Sequence, residues 1–301
     1  MFAVVIWFLA TTPAGAGFVQ ADGTIELTVL QAIILGLVEG LTEYLPVSST
    51  GHLLVTNELL GLNDTQQSQD AIETYAICIQ VGAIIAVFFL YQERIRQLID
   101  GLLGRSEEGR QILIAVIIAF TITAVIGLTV GPIVMENLFG VAPIAAAWIF
   151  GGLVILVLSR TGWFDRTTAE LHALTWQNAI IIGLIQAIAM WPGISRSMVT
   201  IMGAVLVGLS LRAAVEFSFL LGLITLSAAT AFEGLRGGAE LVDTFGIVTP
   251  LIGLVVAFVS AIASVKWMVA WLNDKGFEVF GWYRIAVGIL AFGLLAAGTI
   301  G

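Results

Sequence analysis

Charge is scarce in this chain. Of 301 residues only 11% are Asp, Glu, Lys or Arg, against about 25% in soluble domains, and the mean hydropathy is +1.03. So few charges, with 59% hydrophobic residues, exclude an ordinary water-soluble surface. Basic residues are the scarcer sign, 12 against 21 acidic for a net charge of −9, which speaks against nucleic acid as a partner. There is one cysteine, Cys78, so no intramolecular disulfide can form. It lies in an apolar run and reads as a small core residue. Strand-like alternation is also absent. Only helices or closed barrels satisfy their backbone in lipid, so helices remain.

Six uncharged apolar stretches are long enough, at 1.5 Å per helical residue, to cross most or all of about 30 Å of hydrocarbon. They are Ala76 to Leu90, Ile112 to Val130, Ala142 to Leu158, Phe217 to Phe232, Ile247 to Ala263 and Ile285 to Ile300. Before them, residues 1–26 hold a short apolar core followed by small residues. This resembles a signal peptide without its positively charged start, or an extra short hydrophobic segment. Residues 27–301 read as a single all-α polytopic membrane domain.

Lysine and arginine favour cytoplasmic loops. Arg94, Arg96, Arg105 and Arg110 fall in one loop, Arg160 and Arg166 in a second, and Lys266, Lys275 and Arg284 around a third. The loops near Asn63 to Asp70, Pro132 to Val141 and Glu233 to Asp243 hold only Arg236 as a cation and are expected outside. Two apolar regions remain, 27–60 and 176–211, each broken in the middle by proline, serine and glycine. If the loops keep their sides, each region must enter and leave on one face. They are predicted to be re-entrant helical hairpins, the first from outside and the second from the cytoplasm.

A shift of 147 residues lays LGLVEGLTEYLPVSST over IGLIQAIAMWPGISRS. Gly36 then falls on Gly183, Glu39 on Gln186, Tyr44 on Trp191, Ser48 on Ser195 and Thr50 on Ser197. Copies entering from opposite sides form an inverted-topology repeat, whose broken helices meet near the midplane to build a site.

The first hairpin carries an unusual polar load. A charge at the centre of a membrane helix costs about 2.5–3.5 kcal/mol, so Glu39, Glu43 and Arg196 must compensate one another, bind an ion or line water. Glu39 and Glu43 are spaced i, i+4 and share a helix face. Paired carboxylates suit Mg²⁺ or Ca²⁺. After Pro46 the segment VSSTGH offers hydroxyls, amides and His52. In the second hairpin Pro192 and Gly193 break the helix, and Ser195, Arg196 and Ser197 begin the next. A helix start with hydroxyls and a guanidinium suits phosphate. Together these residues suggest phosphoryl or diphosphate chemistry. The bland alternatives are hydroxyls bonded to their own helix, a histidine in a wet pocket, and a glutamate pair held by hydroxyls. His172, beside Glu170, reads as solvated, and Glu216 as a support for the second hairpin or a structural residue. Trp163 and Trp282 read as interface anchors.

VEGLTEYLPVSSTGH and WPGISRSMVT, followed by EFSFLL from Glu216 to Leu221, closely resemble the signature regions of the bacterial undecaprenyl pyrophosphate phosphatase family of the bacitracin-resistance type. The resemblance runs from about Leu27 onward. It implies a bacterial inner-membrane enzyme that removes the terminal phosphate of C55 isoprenyl diphosphate, regenerating the carrier for peptidoglycan and other envelope polymers. Carried over, it makes Glu39 and Glu43 the carboxylate pair tied to a divalent metal. Ser49 and His52 correspond to the catalytic hydroxyl and histidine, and Ser195, Arg196, Ser197 and Thr200 to the phosphate-binding motif, with Ser48 and Thr50 beside them. Attack by Ser49 or by an activated water, with His52 relaying the proton, are both open. The site is expected to open outward, and a homodimer is plausible.

The chain departs from the family pattern at Met198 and Val199, where Gly-Ala is usual, and at Ala76, where a glutamate is frequent. Glu73, one turn earlier, is a candidate substitute. A transporter or flippase for a lipid phosphate would use the same broken repeats. The acid-phosphatase-like lipid phosphatases require a second histidine after the Ser-Arg segment, and none follows His172.

Overall fold

The computed structural model describes residues 27–62 and 66–300. The signal-like segment 1–26 and residues 63–65, in the first loop expected outside, lie beyond the described residues, as does the side chain of Arg236. Among the described residues the ordered structure is helical: α1 (Val29–Thr42), α2 (Ser49–Leu59), α3 (Gln66–Leu90), α4 (Gln92–Leu102), α5 (Glu107–Leu138), α6 (Val141–Arg160), α7 (Trp176–Gln186), α8 (Arg196–Leu206), α9 (Leu211–Phe245), α10 (Val248–Lys275) and α11 (Glu278–Ala296), with short 3₁₀ turns between. The protein is an all-α polytopic membrane protein. Among the described residues six apolar helices are of spanning length, α3, α5, α6, α9, α10 and α11. They leave large apolar side chains such as Phe88, Leu128, Phe150, Val259 and Ile289 exposed, as a lipid-facing surface requires.

Two predicted loops are shorter than expected. Helix α5 continues through Pro132 to Leu138, and α9 continues through Glu233 to Phe245. The bends left between spans are Phe139–Gly140 and Gly246–Ile247. A proline inside a helix removes one hydrogen bond without necessarily ending it, and the polar run after Phe232 includes good helix formers.

The 147-residue relation extends through the backbone of both hairpins. Thr28 caps α1 by accepting from the Gln31 amide, and Thr175 caps α7 by accepting from the Asn178 amide. Helix α2 maps residue for residue onto α8. After them Gly61 and Gly208 turn the chain at positive φ, 66° and 109°, a backbone glycine adopts at no steric cost. Ser48 and Ser195, with φ of 72° and 75°, are the non-glycine residues at positive φ among those described.

The halves interlock. Helix α1 packs on α10 of the second half, while α7 packs on α5 of the first. Both contacts pass through a glycine of the repeat: a Cβ on Gly36 would meet the Gly253 carbonyl at 2.5 Å, and one on Gly183 the Ala119 carbonyl at 2.8 Å. Helices α6 and α11 likewise cross at Gly152 and Gly281. Small residues allow such close approach between membrane helices, and hydroxyls add bonds across them, Ser260 Oγ to Gly36 O and Thr123 Oγ to Gly183 O.

Candidate active site

The two breaks come together in the interior. Helix α1 ends at Glu43, whose amide still donates to Glu39 O at 2.9 Å, so the i, i+4 relation of the two carboxylates is kept. Tight turns through Pro46 lead to Ser48, and α2 begins at Ser49. In the second hairpin Gly193, at φ 95°, and Ser195 lead into α8, which begins at Arg196. Its guanidinium crosses to the first hairpin.

Glu43 is the junction. Its Oε1 receives Arg196 Nη2 at 3.1 Å, and its Oε2 accepts from the Ser49 hydroxyl. Arg196 also donates through Nη1 to Ser218 O at 3.4 Å and lies over the Tyr44 ring, 5.9 Å from its centroid. Gly222 on α9 supplies the room, since a Cβ there would fall 2.8 Å from Arg196 Cζ. A cleft opens on this junction, lined by Glu43, Ser48, Ser49, Thr50, Gln80, Ala189, Pro192, Gly193, Ser195, Arg196 and Leu226.

The predicted residues divide by position. Glu43, Ser48, Ser49, Thr50, Ser195 and Arg196 reach the cleft wall. Ser197 and Thr200 stand behind it: Ser197 Oγ donates to Leu45 O at 2.8 Å, and Thr200 Oγ1 bonds Gln186 Oε1 and Arg196 O. His52 is fully buried and also off the wall. Its Nδ1 lies 2.7 Å from Ser48 O and its Nε2 2.8 Å from the Tyr283 hydroxyl. A carbonyl can only accept, so Nδ1 carries hydrogen, and in a neutral ring Nε2 accepts from Tyr283. Ser49 therefore meets Glu43 rather than His52.

The repeat is chemically lopsided. Gln186, the counterpart of Glu39, has its oxygen bonded by Thr200 and its nitrogen by Thr123. Glu39 is as deeply buried, yet its Oε1 has no hydrogen-bond partner among the described residues. Ser195 Oγ caps the Met198 amide and bonds Ser197, whereas Ser48 makes no side-chain cap bond. In these two pairs, the member lacking the bond is the one on the first hairpin.

Other expectations resolve outside the cleft. Glu216 pairs with Arg94 at 2.5 Å, tying α9 to α4 beside a separate cleft that includes Tyr91 and Arg212. Glu73 is exposed and off the wall, and His172 is exposed. Arg284, assigned from sequence to a cytoplasmic loop, is instead completely buried within α11. Its bonds to backbone carbonyls of other elements offset the cost of burying the charge. Arg284, Tyr283, Tyr44, Gln80 and Gly222 are the contributors that motif reasoning passed over. The one available signal was an arginine in the second turn of an apolar helix.

A family model described as "Bacitracin resistance protein BacA" matches residues 32–290, from within the first hairpin to within the last long helix. The chain belongs to that family. Relatives of this BacA-family chain include a protein named undecaprenyl-diphosphatase from Sorangium cellulosum, 41% identical over 87% of this chain and 85% of its own length. Undecaprenyl-diphosphatase 2 of Rhodospirillum rubrum and undecaprenyl-diphosphatase of Methylococcus capsulatus are each 40% identical, over 90% of this chain and 96% of their own.

Proposed function

We propose that this chain hydrolyses undecaprenyl diphosphate to undecaprenyl phosphate and inorganic phosphate, supplying the lipid carrier for peptidoglycan and other envelope polymers. The observation that carries this reading is the junction at Glu43, where one carboxylate holds the arginine of one hairpin and the serine hydroxyl of the other. The names of relatives at about 40% identity over most of both chains support the same substrate. They disfavour a transporter.

In this mechanism the terminal phosphate enters the cleft and takes the Arg196 guanidinium, with amides at the start of α8 beside it. The Ser49 oxygen attacks the terminal phosphorus, and Glu43 accepts the proton. The bond from that phosphorus to the bridging oxygen breaks, and undecaprenyl phosphate leaves. Water then cleaves the phosphoserine and releases inorganic phosphate. Arg196 stabilises charge on the transferring group in both steps, the role such fixed donors serve in phosphoryl transfer. His52 acts here on the backbone, holding the Ser48 carbonyl at the break.

Glu39 and Glu43 fit a divalent cation, Mg²⁺ or Ca²⁺, only together with substrate. Glu39 offers an unpartnered buried oxygen, Glu43 is already bonded twice, and among the described residues no cluster of three acidic, His or Cys ligands is present. Mg²⁺ commonly takes one or two carboxylates and completes its shell with water and phosphate oxygens. Such an ion would neutralise diphosphate charge.

The protein is multi-pass, and we place it in the bacterial inner membrane with Arg94, Arg96, Arg105, Arg110, Arg160 and Arg166 toward the cytoplasm. The hairpins are then re-entrant from opposite faces, and the first brings Glu43 and Ser49 inward from the periplasmic side. The deciding experiment is phosphate release from undecaprenyl diphosphate by detergent-purified protein, where transport has no compartments to act between. Release by wild type and its loss in Arg196→Ala and Glu43→Ala are expected. No release from folded wild type would overturn the reading.

A further inference from the structure

We propose that Arg284 is a positioning residue that clamps the two hairpin breaks in register; as a contribution to catalysis this rests on the phosphatase reading above. Its guanidinium donates through Nη1 to Pro46 O at 3.2 Å and through Nη2 to Gly193 O at 2.8 Å and Ala147 O at 3.0 Å. Pro46 and Gly193 are counterparts under the 147-residue repeat, each two residues before its positive-φ serine. One side chain thus holds the same point of both breaks, and ties both to α6. Arg284 is 0% exposed, and among the described residues no carboxylate lies within 4.0 Å of it. Carbonyls, rather than a counter-ion, accept from both of its Nη atoms, while its buried Nε has no partner among the described residues.

Arginine suits this task and lysine does not. A guanidinium projects its donors in a rigid planar fork, whereas an ammonium is a compact point charge on a flexible stem. The fork has a fitted seat on α6: a Cβ on Gly151 would lie 2.5 Å from Nη2 and 3.0 Å from both Cζ and Nε. The adjacent Tyr283 reaches the first break by another route, through His52 to the Ser48 carbonyl. Helix α11 therefore grips the segment that presents Ser49 and the one that presents Arg196. Arg284, Tyr283 and His52 are not themselves on the cleft wall, although the Gly193 and Ser48 carbonyls they hold belong to residues that are, so Arg284 acts through geometry.

The test uses the full-length protein in detergent with two variants that approach the clamp from opposite sides. Arg284→Lys keeps the charge and loses the fork; Gly151→Ala keeps Arg284 and crowds its seat. Each is expected to lower kcat for undecaprenyl diphosphate about a hundredfold, the scale of a 1 Å misplacement, with KM changed far less. In both, backbone amide exchange should rise in segments 46–52 and 192–198 together. The double variant should be no worse than Arg284→Lys, because both changes remove one interaction. Wild-type kcat in Arg284→Lys, fully multiplicative losses in the double variant, or unchanged exchange in the two segments would overturn the proposal. If wild type releases no phosphate, the phosphatase reading falls by itself. The exchange data then decide the clamp alone, a paired rise supporting it and no rise overturning it.

Discussion

Arg196 Nη2 and Glu43 Oε1 lie 3.1 Å apart across 153 positions of sequence, joining the second hairpin to the first in a mostly buried ion pair. Each charge compensates the other, and each also belongs to the reaction proposed. Removing one partner of a buried pair costs about 3–5 kcal/mol because the other is left uncompensated, whereas replacing both with apolar groups is often neutral. Thermal unfolding should therefore show Arg196→Ala and Glu43→Ala less stable than the double variant Glu43→Leu with Arg196→Met. Phosphate release should fall at least 10²-fold in all three. An active double variant would remove both residues from the chemistry.

Ser49 contacts the carboxylate that would take its proton. Brief reaction with substrate labelled in its terminal phosphate, followed by acid quench, should leave label on Ser49. None should remain on Ser49→Ala, which should also be inactive. Substantial turnover by Ser49→Ala would transfer the attack to water.

Glu39 Oε1 is buried without a partner, while the equivalent Gln186 is bonded at both ends of its amide. If a cation bridges Glu39 and the diphosphate, Glu39→Gln should raise the Mg²⁺ or Ca²⁺ concentration needed for half-maximal activity by at least about tenfold, the smaller effect typical of weakening a metal site. Titrating the metal after chelator treatment measures this. An unchanged metal curve would remove Glu39 from the cation site.

Glycines of the repeat should differ from glycines outside it. Gly36→Ala places a Cβ 2.5 Å from the Gly253 carbonyl, whereas the nearest atom to a Cβ on Gly127 is Met190 Sδ at 4.0 Å. Overpacking should cost Gly36→Ala about 1–3 kcal/mol. Gly127→Ala should be neutral, or gain up to about 1 kcal/mol from helix propensity. The unfolding midpoints of the two variants compare these costs.

Much of the site was readable before any coordinates. Glu43 and Arg196 stand out because charge inside apolar runs demands partners, a short alignment pairs the two breaks, and Ser49 is singled out among the hydroxyls only by the family resemblance. The roles of His52, Ser197 and Thr200 were less readable. Motif membership places them near a phosphate, but only the fold shows that their hydrogen bonds run to Ser48 O, Leu45 O and Gln186, behind the cleft wall. Arg284 was misread because starting the last span at Ile285 left the arginine in the preceding loop. Helix α11 in fact begins about two turns earlier, at Glu278.

Local chemistry is written along the chain. Apolar length makes the spans, proline and glycine break the hairpins, and threonine caps start them, all through interactions within a few residues. The sequence by itself determined the helical membrane class, the two breaks, the repeat and the family they resemble. The tertiary structure decided which side chains face one another across 91 to 238 positions: Arg196 on Glu43, Tyr283 on His52, and Arg284 on both breaks. Those pairings depend on how closely helices approach at Gly36, Gly151, Gly183 and Gly222. That distance is set by packing among all the elements, and no local stretch of residues encodes it.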